Sequence, residues 1–326
     1  MRKFNLFLIM ILMLSGIGNC FAEAEFRIRA AIDQPKTLPG AISFQSFKRL
    51  VEKRSNGRVE VEVFLDGALG NAREEIEGVQ LGTIQITQTA NAALTAWVPE
   101  LNLFELPFLF KDADHQTAVL ESDLALGYKK EMGEKGFHLL GFNTVGLRHI
   151  MTTEKSIKSI ADLKGLKIRT MGNPVHLDAY EAFGASPLPM AYGELYTSLE
   201  TNVIDGAEAA NSNYYGKKFF EVANNWAMVG WLYMVAPMIM NKAYYDKMPK
   251  DLQNILNEAA IEVCREGREV YAKQDIDKLK LLKKHNINIT TPDREPFIKA
   301  SSVVYDKWAK VVGGREKIDA ILNLKY

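Results

Sequence analysis

Two arginines, Arg148 and Arg169, stand in settings suited to gripping a small carboxylate. Arg169 closes the run LKIRT and is followed by Thr170, Met171, Gly172 and then Asn173-Pro174. Asparagine is a favoured helix N-cap and proline a favoured first helical residue, so a helix N-terminus is predicted to open beside the arginine. Its unpaired N–H groups and its dipole favour an anion at that point. Arginine adds a planar fork of donors that can pair with both oxygens of one carboxylate, a geometry lysine cannot reproduce. Arg148 follows Gly146 at the end of another predicted strand, FNTVG. A lone arginine at a strand end is ordinarily a surface salt bridge, so its reading as a ligand contact leans on the residues around it.

Nothing nearby offers reaction chemistry. The chain lacks G-x-S-x-G, H-E-x-x-H, a P-loop and a dinucleotide fingerprint after a strand. His115, His138, His149, His176 and His285 show no metal-ligand spacing, and Cys264 lies in a predicted amphipathic helix without an activating partner. The expectation is capture of an organic anion and not its conversion: no enzyme, no metal and no cofactor. His149 and His176 fall near the arginines, but an isolated histidine is more often structural. Further contacts could come from Gln88, Thr89 and Asn91 after the TIQIT run, and from Asp33 and Gln34 at the end of the first strand. Tyr192 and Tyr214 could wall the site. Each of these is open to a purely structural role as well.

The elements that must position these residues alternate regularly. Phe26, Ile28 and Ala30 alternate with Arg27 and Arg29, the period of a strand with one polar side. Pro39-Gly40 starts a helix with Ala41, Phe44, Phe47 and Val51 on one face, and Asn56-Gly57 ends it. Val59, Val61 and Val63 alternate with glutamates in a second strand, GNAREEIEGVQLG reads as a helix closing at Gly82, and TIQIT as a third strand. The pattern returns as a strand over Leu166–Arg169, a helix over Pro174–Phe183, a strand over Leu188–Met190, and a helix, turn and short strand in GELYTSLETNVIDGAE. This predicts an α/β protein of two lobes, each a mixed sheet flanked by helices, with the ligand cleft between them beyond the carboxyl ends of strands. WLYMVAPMIM is expected to form buried core and an interlobe strand, and the chain from Pro249 onward to be mostly helical.

The N-terminus indicates export. Arg2 and Lys3 precede a run from Phe4 to Leu14 that is apolar except for Asn5, and Ala22-Glu23-Ala24 offers an A-x-A cleavage site. This reads as a signal peptide over residues 1–24, too short for a membrane span of roughly 20 apolar residues. After cleavage only Cys264 remains, so no internal disulfide is expected. With 326 residues, 47% hydrophobic, 25% charged and zero net charge, the chain has no global steering toward nucleic acid or anionic membrane. Lys278, Lys280, Lys283 and Lys284 read as a solvated helix face, since no aromatic residues interleave with them.

The spacing G-x-R, then D-L-K-G-L-K-I-R (Asp162 to Arg169), G-A-S-P-x-P-M (Gly184 to Met190) and E-L-Y-x-x-L-x-x-x-x-I-D-G-x-E (Glu194 to Glu208) closely resembles the solute receptors of tripartite ATP-independent periplasmic (TRAP) transporters, the DctP-like family. Leu69 to Arg73 and Glu105 to Phe110 extend the likeness to the N-terminal part, so that it covers nearly the whole mature chain. The resemblance implies a type II periplasmic-binding-protein fold whose chain crosses between lobes more than once, lobe I from residues 25–145 plus 234–274 and lobe II from 146–233 plus 275–326. It implies a periplasmic receptor that hands a small carboxylate to membrane permease subunits, and the same ligand trap would also serve a signalling system; the chain is expected to act as a monomer. It also implies that Arg169 makes a bidentate salt bridge to the ligand and that Arg148 assists. Relatives frequently carry asparagine where this chain has Ala209 and Ala210, so the third polar contact is expected from Asn211, with Asn213 close behind.

Overall fold

The computed structural model describes residues 23–326, so the apolar leader and Cys20 lie outside the described residues. Strands β1 (Phe26–Ala31) and β2 (Val59–Phe64) pair in parallel with Ile28 opposite Val61. Their alternation buries Ile28, Ala30, Val59 and Val61 while Arg27, Glu60 and Glu62 face solvent. The helix Pro39–Arg54 covers that apolar face with Ala41, Phe44, Phe47 and Val51. The next helix, Ala72–Leu81, begins in a capping box between Asn71 and Glu74 and stops at Gly82, whose φ of 80° is a left-handed conformation that glycine adopts without a Cβ clash. Strand β3 (Ile86–Gln88) then lies parallel to β1. It is shorter than TIQIT suggests, because the Ile84 N–H turns back to the Gly78 carbonyl and the first residues close the helix instead of joining the sheet.

Two long strands, β4 (Phe137–Thr152) and β8 (Asn225–Asn241), run antiparallel through the whole molecule. The remaining strands are β5 (Lys167–Thr170), β6 (Ser186–Pro189), β7 (Gly206–Ala209) and β9 (Asn288–Thr290). The sheet order is β2-β1-β3-β8-β4-β7-β5-β6, with β9 added to β8. Each half is therefore a parallel triplet leaning on one long antiparallel strand: β3 pairs with β8 as far as Gln88 opposite Met238, and β7 pairs with β4 from Ala209 opposite His149. Between those points β4 and β8 have only each other, and the register shifts between Thr144 and Leu147. This two-stranded waist separates the two lobes.

The waist changes one reading of the sequence. FNTVG does not end a strand before Arg148; β4 continues to Thr152, and Gly146, with φ of 81°, marks a bulge inside it. WLYMVAPMIM does lie in β8, buried along most of its length. The helix Lys250–Leu282 spans 33 residues and packs on β4, on the helix Pro39–Arg54 and on the short helix Asn211–Gly216, so it bridges both sides of the waist. Among the described residues no helix is long and apolar enough to cross a membrane.

Candidate ligand-binding site

Adjacent strands β4, β7 and β5 bring Arg148, Glu208 and Arg169 together. Glu208 stands opposite Ile150 across the β4–β7 ladder, and Arg169 opposite Ala207 across the β5–β7 ladder. All three side chains are buried. Arg148 donates from Nε to Glu208 Oε2 at 2.5 Å and from Nη2 to the Glu208 carbonyl at 3.2 Å. Arg169 places Nη1 at 3.5 Å from Glu208 Oε1, an ion pair without hydrogen-bond alignment, and donates from Nε and Nη2 to the Met190 carbonyl at 3.0 and 2.7 Å.

The electrostatics are lopsided. Burial works against ionisation of Glu208, yet the two arginines hold its carboxyl below the usual carboxylate range. Burial also opposes the charge on Arg148, but the Glu208 contact outweighs it and the guanidinium is held above its ordinary value. For Arg169 burial prevails, reinforced by Arg148 and only partly offset by Glu208, so its affinity for a proton falls. Two desolvated cations touch only one carboxylate, that of Glu208, while Asp33 acts on Arg169 from the cavity wall without an ion-pair contact.

The arginines open on a cavity of about 40 Å³ whose other walls include Asp33, Gln34, Tyr192, Asn213, Met171 and Met234. Asn213 Nδ2 donates to the Tyr192 hydroxyl at 3.2 Å, and burial pushes that phenol up to about 12. Gln34 Oε1 accepts from the Gly40 N–H at 3.2 Å and from the Tyr271 hydroxyl at 3.0 Å, which fixes its amide at the rim. Burial raises the Asp33 carboxyl, with Lys217 and Arg169 pulling the other way. Lys217 Nζ reaches Asp66 Oδ1 at 3.0 Å, from the β7 side of the sheet to the turn after β2. The lobes thus meet across the cleft.

Of the residues expected at the site, Arg148, Arg169, Asp33, Gln34 and Tyr192 converge on this cavity. Gln88 is buried and accepts from Asn143 at 3.3 Å, Thr89 bonds to the Ala90 carbonyl at 3.5 Å, and Asn91 donates to Leu101 and Glu105; none of the three lines the cavity. Tyr214 does not wall it either, because its ring stacks on Trp226 at 4.0 Å in the core. Asn211 accepts from Trp226 Nε1 at 2.9 Å and faces the back of the molecule, whereas Asn213, half a turn on, faces the arginines. Ala209 and Ala210 are fully buried outside the cavity.

Asn173 does cap the helix Pro174–Ala182, accepting from the His176 N–H at 3.1 Å. Its Nδ2 ties that helix to Thr95 and Asn102, both at 2.9 Å. His176 Nε2 meets Glu105 Oε2 at 2.6 Å in the interior. His149 accepts from the Gly230 N–H through Nδ1, and burial with Arg148 alongside drives its pKa down to about 3, so it stays neutral. The residues missed include Glu208 and Met190, which hold the arginines, and the apolar walls Met171 and Met234. Glu208 was visible as the last letter of I-D-G-x-E, but an acidic residue at a strand end carries no mark of the two arginines that other strands bring to it.

The family model for bacterial extracellular solute-binding proteins, family 7 (DctP), matches residues 33–311. The chain belongs to this family, the TRAP-type solute receptors. It is 35% identical over 297 residues to a solute-binding protein of Verminephrobacter eiseniae, covering 90% of this chain and 88% of that one. It is 31% identical over 287 residues to the 2,3-diketo-L-gulonate-binding periplasmic protein YiaO of Escherichia coli (strain K12), covering 87% and 88%. The fold matches the crystal structure of a TRAP periplasmic solute-binding protein from Polaromonas sp. JS666 bound to D-erythronate, with a TM-score of 0.89, 31% identity, and coverage of 92% of this chain and 99% of that one. DctP receptors are two-lobed extracytoplasmic binding proteins, and the waist formed by β4 and β8 is where this chain joins its lobes.

Proposed function

We propose that this receptor captures a small hydroxylated organic acid in the cleft and delivers it to the membrane permease of a TRAP system. The observation that carries the reading is the charge imbalance: Arg148 and Arg169, both buried, share the single carboxylate of Glu208. A ligand carboxylate supplies a second direct partner, with the Arg169 fork facing it and Arg148 held beside it. Asp33, Gln34, Tyr192 and Asn213 give the rest of the ligand acceptors and donors, which suits hydroxyl groups. The D-erythronate bound by the Polaromonas relative and the diketo-gulonate named for the E. coli relative are acids of that kind. No reacting group is needed: the chain binds, closes and releases, and it is not an enzyme.

Closure is a rotation of the lobes about the waist, with lobe I at residues 25–145 plus 234–274 and lobe II at 146–233 plus 275–326. The acid favours the closed state through contacts that exist only there. The protein works in the periplasm after removal of its leader near Ala24. The test is calorimetry of the mature chain with D-erythronate and with the uncharged polyol of the same length. The acid should bind and the polyol should not. Arg169→Ala should cost about 2–5 kcal/mol, roughly 30-fold to several-thousand-fold in Kd. Equal binding of acid and polyol, or undiminished affinity in a folded Arg169→Ala variant, would overturn the reading.

A further inference from the structure

Behind the waist lies a second and much larger opening, a groove of about 520 Å³ between the helix Lys250–Leu282, the helix Ala113–Leu120 and the bulged part of β4. Its volume falls in the range of small-molecule sites, about 300–1,000 Å³. Leu147, Met228, Ile276, Leu279 and the ring of Tyr233 give it an apolar body, and Ile276 is 60% exposed there. None of its walls belongs to the arginine cavity on the other face.

The charges around this groove are the reverse of those in front. Its two basic residues, Arg265 and Arg268, both bind Glu121, and Arg268 also donates to the Phe142 carbonyl. Its three carboxylates are Asp114, Glu269 and Asp275, and among the described residues neither Asp114 nor Glu269 has an ion-pair partner. Asp275 forms the floor. Its Oδ1 accepts from the Ser212 N–H at 2.8 Å, and its Oδ2 lies so close to Gly146 that a Cβ there would come within 2.7 Å. The floor of the groove is therefore the bulge at which β4 crosses between lobes.

We propose that this rear groove is a second ligand site, one that takes a small organic cation with an apolar body. The body lies along Leu147, Met228 and Ile276, and the ammonium group faces Asp114, Glu269 and Asp275. The site sits on the waist and on the helix that spans it, so an occupant that fits one lobe arrangement better than the other shifts the equilibrium between them. By linkage, the acid in front and the cation behind then change each other's affinity by the same factor.

The probe is phenethylammonium, with 2-phenylethanol as its uncharged match, titrated into the mature protein by calorimetry. Three variants accompany it: Asp114→Asn with Glu269→Gln, Ala272→Trp to fill the groove from the exposed side of its helix, and Arg169→Ala. The amine should bind more tightly than the alcohol, by about tenfold, and the first two variants should each weaken it by about tenfold. Those two variants should melt as the wild type does and keep its affinity for D-erythronate. Arg169→Ala should leave amine binding unchanged. Equal binding of amine and alcohol, no binding of either, indifference to the two groove variants, or loss of amine binding in Arg169→Ala would each overturn the proposal.

Discussion

Glu75 and Glu208 are both fully buried glutamates near the cleft, one on each side of the waist, and they have opposite fates. Glu75 sits on the helix Ala72–Leu81, where Thr87 Oγ1 donates to its Oε2 at 2.9 Å and, among the described residues, nothing bonds its Oε1. Burial, with Asp33 nearby, pushes it up to about 9, so it keeps its proton at neutral pH. Glu208 meets two guanidiniums and stays ionised. Burial alone fixes neither outcome; the neighbouring charges decide. The β1–β3 side of the cleft thus buries a neutral carboxyl, while the β5–β7 side keeps an ionised cluster in which two arginines touch one carboxylate. In the proposed site the arginines come from one lobe alone, while the remaining polar walls are shared, Asp33 and Gln34 from one side and Tyr192 and Asn213 from the other.

Removing one member of the charged cluster should do the most damage. Glu208→Gln leaves two buried arginines without their carboxylate, and urea unfolding should register a loss of about 3–5 kcal/mol. A variant as stable as the wild type would show that solvent reaches the cluster and that the contrast with Glu75 is unreal.

Glu75→Gln probes the other side through pH. The folded carboxyl has its pKa raised, so its contribution to stability is complete below the unfolded value near 4.5 and is lost as pH rises through about 9. By pH 7 the wild type should have given up about 3 kcal/mol relative to low pH. The glutamine variant has no such loss, so its stability relative to the wild type should climb between pH 5 and pH 8. A difference that stays flat with pH would mean that Glu75 is ionised like Glu208.

Arg169→Lys keeps the charge and loses the fork. Acid affinity should fall roughly ten- to a hundredfold, the worth of hydrogen bonds to a charged group at about 1.5–3 kcal/mol. Binding at wild-type strength would reduce the grip to a point charge. The smallest effect belongs to the partly exposed Lys217–Asp66 pair: Lys217→Ala should weaken acid binding by no more than a few-fold, under about 1 kcal/mol, and the difference should shrink as salt is raised. A large, salt-independent loss would place Lys217 inside the site as a third cation on the arginine side of the cleft.

Much of this molecule was legible along the chain. The alternation over Phe26–Ala30 and Val59–Val63, the capping of Pro174–Ala182, and the glycine stop at Gly82 depend on residues within one or two turns of each other, and the structure keeps all of them. Arg169 was also readable, because the strand end and the Asn-Pro helix start are local signals. What remained hidden depends on partners far apart in sequence. Arg148 gives no sign that β4 runs on past it, since the bulge at Gly146 looks like a strand end until β8 is laid alongside. Asn211 and Asn213 lie on one short helix, and only the packing of Trp226 against it turns the first inward and leaves the second to the arginines. Tyr214 could as well have walled a pocket as stacked on that same tryptophan.

The sequence by itself determined the elements, their order and the residue types able to hold an acid, because helix and strand periods, caps and turns are written over a few residues. Only the tertiary structure decided that two arginines share one carboxylate, which buried glutamate keeps its proton, and which face of the waist carries which charge. Those outcomes follow from the electrostatic energy of groups brought together by β4, β5 and β7, and that energy does not exist until the strands are side by side.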